Sequence, residues 1–209
     1  MAKLHFYYST MNAGKTTTLL QANHNYRERG MHTFLLTPDL NKRDGENQIK
    51  SRVGLQAPAY AFSKKENIYE TVFLHHKQQS IDCVFVDEAQ FLSKNQVYQL
   101  TEVVDRLNIP VLAYGLRNDF QGEPFEGSCY LLNWAESLTE IKTICHCGKK
   151  ATQVLRVDQN GRPIAKGSQI EIGGNDRYVA VCRVHFKKRD TGPLFIPQMQ
   201  LDIQTTQKA

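Results

Sequence analysis

The sequence predicts an α/β fold in which helices flank a parallel β-sheet. Short apolar runs typical of buried strands alternate with longer segments of helical character. One run, Val84-Phe85-Val86, is apolar throughout, as expected for a parallel strand that is covered on both faces. Strands and helices that alternate at this spacing indicate βαβ units, and the ligands of such sheets bind at the carboxyl ends of the strands.

Six strands and four helices are predicted in the first two thirds of the chain. The strands are residues 4–8, 33–37, 59–62, 83–87, 111–115 and 141–144. The helices are residues 15–29, 68–79, 94–107 and 131–137. Gly30 fits the C-terminal end of the first helix, and Ser93 fits the N-cap of the third. The polar segment 40–56 is predicted to be a long mobile loop.

The most informative motif follows the first predicted strand and opens the first helix. It consists of Ser9, Thr10, Met11, Asn12, Ala13, Gly14, Lys15 and Thr16. A strand, a Gly-Lys-Thr loop and a helix are typical of a phosphate-binding P-loop, whose backbone N–H groups hold nucleotide phosphates. Lys15 would reach the β- and γ-phosphates, and Thr16 would bind Mg²⁺. Ser9 stands where the usual motif has its first glycine, and the alternative is a chance match to a short pattern.

A second candidate site lies at the end of the strand predicted at residues 83–87. Asp87 follows apolar residues in the Walker B pattern and would hold Mg²⁺ directly or through water. Glu88 is a second carboxylate at the same strand end, where it could accept a proton from an attacking hydroxyl or water. The alternative is that this acidic pair begins a helix and stabilises its dipole. Together the two motifs predict a P-loop NTPase fold of the RecA-like type.

A third candidate site is a structural zinc site in the last third of the chain. The number of cysteines is five, and a disulfide framework is not expected. Two closely spaced pairs of ligands could complete a tetrahedron. The predicted ligands are Cys145, Cys147, Cys182 and His185. His146 is an alternative ligand, and free cysteines in strands are the other explanation. Cys83 and Cys129 have no such partners and are predicted to be small core or helix residues.

The chain is predicted to divide near residue 145, where helical periodicity stops. Residues 1–144 form the α/β nucleotide-binding domain in this interpretation, and residues 145–190 form a small zinc-ribbon-like β domain. Short strands are predicted there at residues 151–157, 169–172 and 178–181, and Asn160-Gly161 indicates a turn after the first. Residues 191–209 are predicted to be a loose tail.

Composition places limits on the partners of this chain. The net charge is +5 and the pI is about 8.9, which suits an anionic ligand but does not by itself indicate nucleic acid. No apolar stretch approaches the roughly 20 residues that a membrane helix needs. The amino-terminal residues run directly into a strand with no visible signal peptide. A cytoplasmic protein without membrane or nucleic-acid partners is therefore expected.

In combination, these motifs resemble the thymidine kinase family of the zinc-containing, P-loop type. The most telling stretches are residues 9–16, 86–91, 114–120 and 172–178, and the similarity extends from about residue 2 to residue 188. The Cys-x-Cys first pair and a histidine as last ligand resemble the bacterial branch of the family. The resemblance implies ATP-dependent phosphorylation of the 5′-hydroxyl of thymidine to dTMP, with Zn²⁺ in a structural role and Mg²⁺ on the nucleotide.

The resemblance also implies roles for individual residues. ATP would be bound by the P-loop residues together with Asp87, Glu88, Ala89 and Gln90. Lys15, Glu88 and Arg43 would be catalytic, with Glu88 as the general base and Arg43 neutralising developing charge. A lasso-like loop at residues 155–178 would close over the base, with zinc anchoring its ends. The thymidine site would comprise Met11, Phe91, Leu116, Phe120, Phe125, Gln169, Ile170, Glu171, Ile172, Gly173 and Tyr178.

Members of the resembled family form homotetramers and are inhibited by dTTP, so the resemblance implies both properties. Two other classes of protein share part of the pattern. A P-loop ATPase would hydrolyse ATP without a nucleoside and use the zinc module as a partner-binding arm. A nucleic-acid-binding protein would use the zinc module as a ribbon, with Lys149, Lys150 and residues 187–189 on phosphates, and its binding would depend on salt.

Overall fold

The computed structural model describes residues 1–39, 47–169 and 178–193. It confirms a parallel sheet flanked by helices. The strands up to residue 140 are β1 (Leu4–Ser9), β2 (Thr33–Pro38), β3 (Gln48–Lys50), β4 (Gln56–Pro58), β5 (Tyr60–Phe62), β6 (Cys83–Val86), β7 (Val111–Leu116) and β8 (Ser137–Glu140). The helices of this part are α1 (Lys15–Glu28), α2 (Ile68–Gln78), α3 (Lys94–Leu107) and α4 (Glu126–Trp134).

One sheet of six strands, in the order β5-β2-β6-β7-β1-β8, forms the centre of this part. All of its neighbouring strands are parallel. Alternate residues of each strand point to opposite faces. On β6, Val84 and Val86 face the core formed with α2, α3 and α4, whereas Phe85 faces the core formed with α1. The central strands are therefore buried on both faces, which explains their continuous apolar runs.

The sheet brings the two predicted phosphate motifs to the same edge. β7 lies between β6 and β1, with Val84 and Leu4 both aligned to Val111. Because all three strands run in the same direction, the P-loop after β1 and the Asp-Glu pair after β6 lie at the same carboxyl edge of the sheet, with β7 between them. A short 3₁₀ helix, Ala89–Phe91, follows that pair and packs against α4 and β7.

The described residues of the carboxyl-terminal part form two small antiparallel sheets and one helix. Its elements are β9 (Thr143–Ile144), β10 (Lys150–Ala151), β11 (Gln153–Val157), β12 (Pro163–Ile164), β13 (Tyr178–Val181) and α5 (Arg183–Lys188). β11 pairs with both β12 and β13. This part contacts the main sheet through Asn118, whose amide donates to Gln153 Oε1 at 2.7 Å, and through Arg117, which donates to the Thr152 carbonyl at 3.2 Å.

The predicted helix at 131–137 and strand at 141–144 are wrong in their bounds. α4 begins earlier, at Glu126, and ends at Trp134, because Ala135 takes an extended conformation. Ser137–Glu140 then forms β8, the edge strand, which pairs with β1 from His5 to Tyr8. Thr143–Ile144 pairs instead with β10, outside the main sheet. The pairing partner decides these assignments, and a local pattern does not contain that information.

The segment predicted as a long loop contains a β-hairpin. β3 and β4 pair antiparallel, and the buried Ile49 packs against the core under α1. Residues 40–46 of that segment lie outside the described residues, as do residues 170–172 of the strand predicted at 169–172 and residues 194–209 of the predicted tail. The division at residue 145 stays a prediction. Across the described ranges, no helix is both long enough and apolar enough to cross a membrane.

The contact between α4 and the 3₁₀ helix predicts a stability effect at Gly127. A Cβ atom there would lie 2.6 Å from the Ala89 carbonyl oxygen and 2.8 Å from that of Leu92. Gly127→Ala is therefore expected to lower the free energy of unfolding by about 1–3 kcal/mol, as overpacking does elsewhere. Urea unfolding measures this. Asn133→Ala, at an exposed position of the same helix, is the control and should change it by less than about 0.5 kcal/mol. An unchanged or more stable Gly127→Ala protein would contradict the described packing.

Candidate functional site

The P-loop has the geometry of an anion-binding loop. Gly14 has φ +84° and occupies the N-cap of α1, a left-handed conformation that glycine adopts at little cost. Lys15 follows it and is buried, and its Nζ donates to Ser9 Oγ at 3.2 Å and to the Thr10 carbonyl at 3.0 Å. Burial lowers the pKa of Lys15 from its usual value. Ser9, the departure from the usual motif, thus serves as an acceptor for the lysine.

The two residues predicted to bind Mg²⁺ are in contact. Thr16 Oγ1 donates to Asp87 Oδ2 at 3.2 Å, although the residues are 71 positions apart. The exposed fraction of Asp87 is 3%. Burial raises the pKa of its carboxyl to about 7, and the nearby Glu88 carboxylate adds to the shift. The Lys15 ammonium acts in the opposite sense. A hydroxyl and a carboxylate oxygen are ligands that Mg²⁺ prefers.

Glu88 is held at the end of β6 by its backbone and by one side chain. Its φ of 49° and ψ of 39° are left-handed, an uncommon conformation for a residue other than glycine and one that clusters at functional sites. Its carboxylate accepts a hydrogen bond from Gln90 Nε2. Gln90 Oε1 in turn accepts from the Leu116 N–H at 2.9 Å. The carboxylate predicted as a general base therefore has a defined position beside Asp87.

The aromatic residues predicted to line a base site lie near the same edge of the sheet. The rings of Phe91 and Phe125 meet edge to face, with their centroids 5.8 Å apart. Leu116 ends β7, and Phe120 follows it; both are buried. The guanidinium of Arg156, on β11, lies 4.4 Å from the centre of the Phe120 ring. Sequence reasoning missed Arg156, although an arginine within the apolar strand Val-Leu-Arg-Val is a detectable signal.

The middle of the predicted lasso is hydrogen-bonded to the turn after β7. Gln169 Nε2 donates to Asp119 Oδ2 at 3.1 Å, and Gln121 Nε2 donates to the Gly167 carbonyl at 3.3 Å. Asp119 also accepts from the Gln121 and Glu123 N–H groups, which fixes the turn. Asp119 was not predicted as a site residue. Predicted site residues outside the described residues are Arg43, Ile170, Glu171, Ile172 and Gly173.

The far end of the predicted lasso contacts the P-loop. Tyr178 begins β13, and its carbonyl accepts a hydrogen bond from Asn12 Nδ2 at 3.4 Å. Asn12 has a φ of 61° and lies between Met11, which is half-buried, and Ala13. The residues predicted to hold phosphate and those predicted to hold a base are thereby brought within contact of each other.

The four predicted zinc ligands converge. One ligand atom from each lies within 4.8 Å of all the others, in the set Cys145, Cys147, Cys182 and His185. Cys147 Sγ and Cys182 Sγ are 3.9 Å apart, and His185 Nδ1 lies 3.2 Å from Cys145 Sγ and 3.5 Å from Cys182 Sγ. A tetrahedral ion with Zn–S bonds of about 2.3 Å separates two sulfurs by about 3.8 Å. The donor set and its spacing therefore fit Zn²⁺, with all four positions supplied by the protein.

The groups around the cluster also suit a metal site. The backbone N–H of His185 lowers the pKa of the Cys182 thiol, which favours the thiolate form that binds metals. His185 Nε2 lies 3.8 Å from Asp190 Oδ2, a carboxylate that can orient the ring. The ring of His146 stacks on that of His185 with centroids 4.2 Å apart, so the alternative ligand packs beside the cluster.

The family model and the curated relatives that match this sequence indicate the same family. Residues 2–186 match the family described as thymidine kinase. The thymidine kinase of Photobacterium profundum is 57% identical over 188 residues, which make up 90% of this chain and 98% of that protein. The thymidine kinase of Escherichia coli (strain K12) is 56% identical over 188 residues, 90% of this chain and 92% of that protein. The thymidine kinase of Haemophilus influenzae is 57% identical over 189 residues, with 90% and 98% covered.

Similarity to solved structures is weaker. The AMPPCP-bound DnaA from Aquifex aeolicus has a TM-score of 0.38 and 15% identity, over 68% of this chain and 41% of that one. The family assignment therefore depends on the sequence matches alone.

The raised pKa of Asp87 predicts a pH-dependent stability difference. The folded pKa of about 7 lies above the ordinary 3.8. The unfolded carboxyl ionises first, so this group lowers the stability of the wild type as pH rises from about 4 to about 7. Asp87→Asn is therefore expected to be more stable than the wild type at pH 8, with a difference that shrinks toward pH 4. Urea unfolding without nucleotide or Mg²⁺ measures this.

Asp105→Asn removes an exposed carboxylate of α3 and is the control. Its free energy of unfolding should stay close to that of the wild type across the same pH range. If the free energy of unfolding of Asp87→Asn also equalled that of the wild type at every pH, Asp87 would not be the buried carboxyl described.

The cysteine and histidine cluster predicts that metal content and stability change together. The purified wild-type protein is expected to hold about one zinc per chain, and Cys182→Ser to lose it, because three ligands bind Zn²⁺ more weakly than four. The melting temperature of the variant should fall by several degrees. Elemental analysis and thermal unfolding measure both. Cys129→Ser, at a half-buried cysteine of α4 outside the cluster, should keep the zinc. Equal zinc contents in the two variants would remove Cys182 from the ligand set.

Proposed function

The chain belongs to the thymidine kinase family, whose members are phosphotransferases, and we propose that it transfers the γ-phosphoryl group of ATP to the 5′-hydroxyl of thymidine. The products are ADP and dTMP. The observation that supports this reaction most is the convergence of Lys15, Thr16, Asp87 and Glu88 at the same carboxyl edge of the sheet. Phosphoryl transfer depends on positioning and charge neutralisation more than on covalent chemistry, and this arrangement supplies both.

The triphosphate of ATP is held by the loop after β1. The backbone N–H groups of residues 9–16 lie at the N-terminus of α1, where the helix dipole favours an anion. Lys15 exchanges its bonds with Ser9 and the Thr10 carbonyl for phosphate oxygens. Thr16 and Asp87 would hold Mg²⁺, which neutralises phosphate charge when it is bound. Ala89 and Gln90 complete the edge of this site behind the Asp-Glu pair.

Glu88 acts as the general base. Its carboxylate takes the proton of the 5′-hydroxyl while the oxygen of that hydroxyl forms a bond to the γ-phosphorus. The bond between the γ-phosphorus and the bridging oxygen breaks, and that oxygen leaves with ADP. Arg43, outside the described residues, neutralises charge on the transferring group in this proposal.

The thymine ring binds between the turn after β7 and the lasso. Its apolar walls are proposed to be Met11, Phe91, Leu116, Phe120 and Phe125. Residues 169–173 are proposed to hydrogen-bond the polar edge of the ring through their backbone, and Tyr178 to pack near the nucleoside. The hydrogen bond between Gln169 and Asp119 supports this placement, because it brings the middle of the lasso to the turn that carries Phe120.

Zinc has a structural role in this proposal. Cys182 directly follows β13, and Cys145 directly follows β9, so that the ion ties together the two ends of the region that contains the lasso. Four protein ligands would fill all positions of a tetrahedral ion. No position is left for a substrate, so the ion would take no part in catalysis.

Regulation and assembly are proposed from the family resemblance. dTTP is proposed to inhibit the enzyme by placing its thymine under the lasso and its phosphates toward the P-loop. The contact between Asn12 and Tyr178 supports this, because it joins the two sites that dTTP would span. A homotetramer in the cytoplasm is the proposed working form.

The experiment that tests the reaction measures ADP and dTMP from Mg-ATP with and without thymidine. Deoxycytidine and deoxyguanosine are the control nucleosides. We expect ADP to form only with thymidine and in equal amounts with dTMP, and added dTTP to lower the rate. If ADP formed at the same rate with and without a nucleoside, the protein would be an ATPase and not a kinase.

Glu88→Gln tests the general base. The variant should lose about 10²- to 10⁴-fold in kcat, because the amide cannot accept the proton. Its affinity for ATP should stay near that of the wild type, because Lys15 and Thr16 are intact. Steady-state kinetics and nucleotide titration measure the two quantities. Glu102→Gln, which makes the same change at a residue paired with Arg106 on α3, is the control. If the kcat of Glu88→Gln were not reduced, a group other than Glu88 would have to accept the proton.

A further inference from the structure

We propose that Gln90 is a positioning residue for phosphoryl transfer, because its amide ties the carboxylate of Glu88 to the backbone at the end of β7. This inference rests on the proposed function, in which Glu88 is the general base. Gln90 Nε2 donates to Glu88 Oε2, and Gln90 Oε1 accepts from the Leu116 N–H at 2.9 Å. One side chain therefore links the carboxylate that follows the end of β6 with the last residue of β7.

The orientation of the Gln90 amide is determined by its two partners. The Leu116 N–H is a donor and needs the amide oxygen. Oε2 of Glu88 is an acceptor in this contact and needs the amide NH₂ group. A flipped amide would place donor against donor and acceptor against acceptor. Since both contacts require the same orientation, the amide holds the carboxylate in one position relative to the sheet.

The surroundings of Gln90 also keep its side chain in place. Its exposed fraction is 2%, and its hydrogen bond from the Leu116 N–H is buried, so water does not compete for that contact. Gly115 lies directly against it, and a Cβ atom there would be 3.0 Å from both the backbone nitrogen and Oε1 of Gln90. Phe6 contacts the same point of the strand, 3.4 Å from that Cβ position. The end of β7 thus accommodates this amide closely.

A base at this position needs such a support. Glu88 has three rotatable side-chain bonds and a left-handed backbone, and it lies between the end of a strand and a 3₁₀ helix of only three residues. Displacement of a reacting group by about 1 Å can cost about 10²-fold in rate. Gln90 does not touch the reacting atoms in this mechanism and acts only through Glu88.

The experiment compares Gln90→Met and Gln90→Glu with a matched control. Gln99 on α3 is also buried, with an exposed fraction of 8%, and its Oε1 accepts from the Ile68 N–H at 2.9 Å. Gln99→Met therefore removes a hydrogen bond of the same kind, from a backbone N–H to a side-chain amide oxygen, at a position outside the site. We expect both methionine variants to lose thermal stability. Only Gln90→Met should lose kcat, by about 10- to 100-fold, with KM for thymidine changed by less than about 3-fold.

Gln90→Glu separates the two contacts of the amide. A carboxylate there can still accept from the Leu116 N–H but cannot donate to Glu88, and it stays informative if Gln90→Met fails to fold. Its kcat should fall at least as far as that of Gln90→Met. In the Glu88→Gln background, Gln90→Met should lower kcat by less than about 3-fold, because the base through which Gln90 acts is already absent.

Two results would overturn the inference in distinguishable ways. A wild type that forms no thymidine-dependent ADP removes the proposed function, and the role of Gln90 falls with it. An active wild type with kcat unchanged in Gln90→Glu, or with equal losses in Gln90→Met and Gln99→Met, leaves the reaction in place and removes Gln90 as its positioning residue.

Discussion

The buried carboxyl of Asp87 is the constraint on which the rest of the site depends. A carboxylate with 3% exposure is costly to ionise unless charges or donors surround it. The parallel order β6-β7-β1 supplies them, because it places Thr16 and Lys15 at the same carboxyl edge of the sheet as Asp87. The pKa of about 7 shows that these groups compensate only part of the cost of burial. In the proposed function, the Mg²⁺ held by Thr16 and Asp87 would offset the remainder of this cost.

The chemistry of the site could be predicted from sequence, because it needs particular residue types at short separations. The loop ending in Gly14, Lys15 and Thr16, the acidic pair after an apolar strand, and two closely spaced Cys/His pairs are all local patterns. The central strands could also be predicted from sequence, since burial on both faces makes them apolar throughout. Their meeting in space then followed from the rule that parallel strands share a carboxyl edge.

The rest depended on contacts between distant residues. β8 is a strand because it pairs with β1, although Ser137-Leu138-Thr139-Glu140 has only a short alternation of its own. The hairpin β3–β4 was hidden in a polar segment, where Ile49 is its most deeply buried residue. Asp119 and Arg156 become significant only when the turn after β7 and strand β11 lie side by side. A single sequence shows the residues that form such contacts but not which of them pair.

Zn²⁺ held by the cysteine and histidine cluster would explain how so small a carboxyl-terminal part can support the proposed lasso. Its apolar core comprises Cys145, Ala151, Leu155, Val181 and Cys182, so two of its five members are also ligands. A core of this size buries too little area to order a chain by itself, and small folds of this kind rely on metals or cross-links. β13 runs from Tyr178 to the residue before Cys182, and the Tyr178 carbonyl accepts from Asn12 of the P-loop. Loss of order at the Cys182 end of β13 would therefore reach the P-loop through one strand and one hydrogen bond.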